Sequence, residues 1–119
     1  MRNTALLCGA SAVLASMLTL AISHGASLPS RVMLENAKVK VTEVTYEPGV
    51  PRERYIRPSD QIIVFLDNCR YRRTDSASGE KTVRERKSGE VIWHNKGEDA
   101  PVLENLDAKP YRTLVIELK

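Results

Sequence analysis

From Val39 to the end of the chain, apolar residues come in short runs bounded by turn residues, with almost nothing at helical spacing. Val39–Tyr46 (VKVTEVTY) carries β-branched residues on both faces and ends at Pro48-Gly49, a turn signal. Ile62–Leu66 (IIVFL) is continuously apolar, which predicts a central strand covered on both sides. Asp67-Asn68 interrupts it. Cys69–Thr74 and Lys81–Lys87 read as two strands joined by a turn at Asp75–Gly79, alternating charges with Tyr71 and Val83, so the pair is expected to face solvent on one side. Val91–Trp93 and Tyr111–Leu118 supply two further strands. So many short strands at turn-bounded intervals predict an all-β sandwich or barrel. There is no internal repeat and no low-complexity tract.

The first residues follow another rule. Arg2 is a short positive region, Ala5–Ser23 is apolar and uncharged, and small residues follow at Ser23, Gly25, Ala26 and Ser27. These three parts make a secretory signal peptide over residues 1–26, predicted to be cleaved after Gly25 or Ala26. An uncleaved membrane anchor is the weaker reading, because Gly9, Ser11, Ser16 and Thr19 dilute the apolar run. Cys8 precedes most of that run, so it is not a lipoprotein cysteine. The expected address is periplasmic or secreted. Residues 27–33 read as a short extension and 34–119 as a single domain.

Removing residues 1–26 from the 119 leaves about 93, enough for one domain. Arg2 is the one base lost, so the remainder carries a net charge of about +2. That balance is mildly basic, and with few aromatics for base stacking it gives no nucleic-acid signature. Cys69 is the one cysteine left and His94 the one histidine. A lone cysteine makes no internal disulfide, so stability must come from a packed core, with Cys69 as a small buried residue.

The order and spacing of three segments resemble a small exported cupin domain of bacteria. They are Val39–Gly49 opening a first motif, Ser88–Trp93 opening a second, and Glu104-Asn105-Leu106 followed by Lys109-Pro110-Tyr111 and Val115–Lys119. The resemblance implies a single-domain, cupin-like jelly-roll β-barrel behind the signal helix, with a ligand or metal pocket inside. A metal-binding cupin carries G-x5-H-x-H-x3,4-E-x6-G and then G-x5-P-x-G-x2-H-x3-N. Laid on this chain, Tyr55 and Arg57 stand where the two histidines belong and Gln61 where the carboxylate belongs. The third histidine position falls near Ala100 or Pro101. The metal motif is therefore degenerate, and neither a metal nor any other cofactor is expected.

The replacements suggest a different chemistry. A phenol at Tyr55, the planar donor fork of Arg57 and the amide of Gln61 could hold a carboxylate, phosphate or acidic sugar, with Trp93 and His94 at the end of a nearby strand. The alternative places the segment 51–58 in a solvated loop. If Arg57 is buried, it requires a ligand or an acid such as Glu104. No residue stands out as catalytic. A basic ridge of Arg70, Arg72, Arg84 and Arg86 on the predicted hairpin could meet an envelope protein, and Glu80, Glu85 and Glu90 interleave with it. The overall expectation is an exported, metal-free, non-catalytic protein, monomeric or paired as a homodimer, binding a small anionic ligand or an envelope partner. A cupin-fold enzyme with an atypical metal site or metal-independent chemistry is the alternative.

Overall fold

The computed structural model describes residues 28–119; the expected signal helix and its cleavage site lie outside the described residues. Ten strands follow one another: β1 (Ser30–Glu35), β2 (Val39–Tyr46), β3 (Tyr55–Ile56), β4 (Gln61–Phe65), β5 (Cys69–Thr74), β6 (Lys81–Arg86), β7 (Val91–His94), β8 (Asp99–Ala100), β9 (Val102–Asn105) and β10 (Tyr111–Leu118). No helix occurs among the described residues. β1 crosses residue 34, where the sequence puts the start of the barrel, and pairs with β2.

One antiparallel sheet has the order β1-β2-β10-β4-β7. Opposite it lie a three-stranded sheet, β6-β5-β9, and the short pair β3-β8. The last strand thus sits between β2 and β4, the interleaving that gives a jelly roll. Strand alternation turns every second residue inward. Phe65, Thr113 and Val44 form one inward row in register, and Ile63, Val115 and Thr42 form the next. At one end of the core, Tyr46 stacks on Tyr111 with ring centroids 4.6 Å apart, and Tyr71 joins Tyr111 at 6.3 Å. Aromatic pairs of this kind add about 1 kcal/mol beyond the area they bury. Cys69 is buried in the same core, as its composition predicted.

Asn105 locks this end. Its buried amide donates to the carbonyls of Tyr46 and Lys109 at 2.9 and 2.7 Å and accepts from the Asp107 amide at 2.8 Å.

Two expectations change. β4 is central, but Gln61, Ile63 and Phe65 are buried while Ile62 and Val64 stay half-buried. It is covered on its inner side, and among the described residues nothing lies over the other. The hairpin β5–β6 forms, yet its arginines do not make one ridge. Cys69 faces Arg86 and Tyr71 faces Arg84, while Arg70 pairs with Glu85. Residues opposite each other share a face, so Arg84 and Arg86 go inward with Tyr71 while Arg70 and Arg72 go outward. Outside, Arg72 bonds Glu104 at 3.1 Å. The proposed four-arginine surface is therefore split between two faces.

Candidate functional site

The two sides of the barrel enclose a cavity of about 540 Å³. Its apolar wall includes Val44, Ile63, Phe65, Ile92, Leu103 and Val115, with Tyr46, Tyr71 and Tyr111 beside them. Its charge is one-sided. Arg52, Arg57, Arg73, Arg84 and Arg86 all line it, and Glu117 is its one carboxylate residue.

Arg57 lies deepest, 4% exposed. It follows β3, and its backbone is held by Glu98 O (3.1 Å) and Gly97 N (2.9 Å) in the turn before β8. The side chain donates through Nη1 to Gln61 Oε1 at 2.7 Å and, more weakly, to Tyr55 Oη at 3.4 Å. Gln61 is 2% exposed, and its Oε1 also accepts from Tyr55 Oη at 3.4 Å. Arg57 has no carboxylate within ion-pair distance among the described residues, and its Nε is buried without a partner. Glu104, the acid suggested by the sequence, is engaged by Arg72 instead. Burial holds the Arg57 guanidinium below its usual value; Tyr55 opposes this and Arg52 adds to it.

Arg52, from the loop after β2, completes the group. It donates to Tyr46 Oη at 3.2 Å and to the Pro101 carbonyl. Its guanidinium and that of Arg57 both lie near the Tyr55 ring, 5.5 and 5.6 Å from the centroid. Two cations thus converge on one aromatic ring, with amide and phenol oxygens as the nearest acceptors. His94 closes the end of β7 on the cavity wall, in register with Gln61. Its Nδ1 is bonded to Glu98, which holds the Glu98 carboxyl below the usual range.

Tyr55, Arg57, Gln61 and His94 are therefore brought together. Trp93 is not. It is 50% exposed on the opposite face of β7, with Nε1 donating to Asn95 at 2.9 Å, because the residue before an inward His94 must point outward. The sequence reading did not place Arg52 or Arg73 at the cavity, and it put Arg84 and Arg86 on a surface ridge instead. Strand alternation from Tyr71 was the available signal for Arg73, and the hairpin register extends it to Arg84. Nothing local marks Arg52.

The donor set does not fit a divalent metal. Tyr55, Arg57 and Gln61 occupy the first-motif ligand positions, and Ala100, fully buried and paired with Tyr55, has no donor side chain. No group of three His, Cys, Asp or Glu side chains comes together among the described residues. A second cation at Arg57 would meet a fixed positive charge at short range.

No protein-family model matches the chain, and no sequence among curated proteins does. Solved structures do. A cupin domain from Bordetella pertussis Tohama I superposes with a TM-score of 0.68 at 18% identity, over 78% of this chain and 94% of that one. The fold is a cupin fold. This cupin barrel also resembles a double-stranded β-helix domain protein from Klebsiella pneumoniae (TM-score 0.60, 16% identity, 77% of this chain and 76% of that one). A third likeness is to a polyketide cyclase from Streptomyces resistomycificus (TM-score 0.60, 17% identity, 75% and 63%). Cupin neighbours thus include an enzyme as well as proteins named only for their fold.

Proposed function

We propose that this cupin barrel is an exported, metal-free binding protein for a small organic anion, a carboxylate or phosphate ester with an apolar or aromatic body. Arg57 carries the reading: a residue 4% exposed on a cavity wall, with neutral oxygens as its hydrogen-bond partners and no acid within ion-pair reach among the described residues. A buried cation left without a counter-charge costs several kcal/mol, and an anionic ligand supplies that charge. Arg52 adds a second cation, Tyr55 and Gln61 fix the geometry, and the tyrosine-rich wall accommodates the ligand's body. The apolar residues make the site selective for an anion with some bulk over a bare inorganic ion.

A catalytic variant of this reading has one feature in its favour, the Glu98-oriented His94 on the wall, which is how a general base is held. The two differ in what leaves the site: a binding protein returns its ligand unchanged.

Calorimetric and thermal-shift titration of the purified protein with aromatic carboxylates, organic acids and sugar phosphates tests the proposal. A ligand at a hundredfold over its Kd adds about 2.7 kcal/mol of stability. Arg57→Met is expected to abolish the response, and Trp93→Phe to leave it intact. Retention of the full response in Arg57→Met sinks the anion site. Stoichiometric iron, zinc or manganese in the purified protein sinks the metal-free reading.

A further inference from the structure

Four tyrosines line the cavity, and three of their hydroxyls are engaged. Tyr46 Oη accepts from Arg52, Tyr71 Oη accepts from Arg86 Nε at 3.3 Å, and Tyr55 Oη accepts from Arg57 and donates to Gln61. The fourth stands apart. Tyr111 is 1% exposed, and its Oη has no hydrogen-bond partner among the described residues. Two positions on, Thr113 is 2% exposed and lines the same cavity, and its Oγ1 likewise has no partner among the described residues. Residues two apart on a strand share a face, so both hydroxyls belong to the inner wall. Their surroundings are apolar: Tyr111 is stacked on the Tyr46 ring, and Thr113 sits between Val44 and Phe65 in register. A buried hydroxyl left unpaired carries the full cost of its lost hydration, and valine would fill the Thr113 row without that cost. Burial pushes the Tyr111 phenol far above its usual value, so it keeps its proton and can donate it.

We propose that the anion held by Arg57 carries a neutral oxygen, a hydroxyl or a carbonyl, at the far end of its body, and that Tyr111 Oη and Thr113 Oγ1 hydrogen-bond it. The inference rests on the anion reading of the same cavity and adds what the other end of the ligand must be. Register gives the spacing. Gln61, which accepts from Arg57, pairs with Glu117 on β10, and Thr113 lies earlier on that strand by about 13 Å. Arg52 shortens the span, because it bonds Tyr46, the cross-strand partner of Tyr111. An acid held by the two guanidiniums therefore reaches the hydroxyls with one aromatic ring and a short arm. Ile63, Phe65 and Val115 line the wall between and cover the ring. The far end is selective for a physical reason: a ligand that brings a hydrogen or a methyl group there excludes water and leaves both hydroxyls unpaired.

Calorimetric titration of the purified protein with matched acids tests this. The probes are para-hydroxycinnamate, para-formylcinnamate, para-methylcinnamate and cinnamate, with para-hydroxyphenylacetate and phenylacetate as a shorter pair. The hydroxylated or the formylated acid is expected to bind at least about tenfold more tightly than its methyl or unsubstituted counterpart, and which of the two is preferred separates a hydroxyl from a carbonyl ligand. Thr113→Val and Tyr111→Phe are each expected to cut that preference at least about threefold, bringing the oxygenated acid down toward the unsubstituted one. Neither substitution removes a hydrogen bond among the described residues, and Tyr111→Phe keeps the ring that stacks on Tyr46; should one variant fail to fold, the other decides. Equal binding of oxygenated and unsubstituted acids, all of it lost in Arg57→Met, overturns the oxygen subsite and leaves the anion site standing. So does a preference that both variants preserve. Silence of every acid in the wild type overturns the anion reading and this inference with it.

Discussion

At Arg57, a planar cation meets a side-chain amide 2.7 Å away and a phenol 3.4 Å away, and it retains donor capacity that the described residues leave unused. On the proposed reading Arg57 is present for what it binds rather than for stability, because its burial as an unpaired cation is itself a cost. Arg57→Met is accordingly expected to raise the ligand-free stability by about 1 kcal/mol, a melting-temperature gain of roughly 4–8 °C for a domain of this size. A large loss in chemical denaturation would instead make Arg57 a structural strut. Asp67 shows the opposite economy at the surface. It accepts from Arg112 Nε and Nη2 at 3.0 and 3.1 Å and from the Arg112 amide at 2.9 Å, and these bonds hold its carboxyl below the ordinary value of 3.8. A carboxylate with a lowered folded value stabilises fully above its unfolded value and loses that contribution as pH falls through the folded one. The stability gap between wild type and Asp67→Asn is therefore expected to close on acidification below 3.8; a gap independent of pH refutes the assignment.

At the scale of elements, the β5–β6 hairpin depends on a turn whose chemistry is local. Asp75 Oδ2 accepts from the amides of Ala77 and Ser78 and from the Ser78 hydroxyl, and Gly79 closes the turn at φ 76°. A Cβ at Gly79 would meet nothing within 4 Å, so replacing it tests backbone conformation alone. Gly79→Ala is expected to cost about 1 kcal/mol, read as a lowered denaturation midpoint with an unchanged m value. This hairpin was legible because turn residues and alternation both lie within a few positions. The two-residue strands β3 and β8 were not: Tyr55-Ile56 and Asp99-Ala100 have no periodicity to read and exist because each pairs with the other across more than forty residues. The faces of the hairpin were mistaken for one because charge was counted along the strand, whereas the pleat divides it by parity. β4 taught the converse. Its apolar run predicted cover on both sides, and among the described residues only the inner side is covered.

For the molecule as a whole, six of the ten strands and the cupin likeness could be read from segments such as Val39–Gly49 and Ser88–Trp93. The chemistry of the interior could be read only in part. Arg57 and Gln61 follow from spacing within one motif. The collection of Arg52, Arg73, Arg84 and Arg86 around the same space needs both sides of the barrel closed on each other, a non-local fact that no window of sequence contains. Asn105 is intermediate: a motif position suggests it, and only the fold reveals that it ties the end of β2 to the loop before β10.

The position of Arg57 has a consequence for supply. A bound metal must be acquired, can be exchanged for a competitor, and is stripped by chelators. A guanidinium is synthesised with the chain, arrives in every molecule at full occupancy, and has no redox state to lose. On the proposed reading, a barrel whose central cation is covalent is ready for an anion as soon as it folds, in surroundings rich or poor in metal alike.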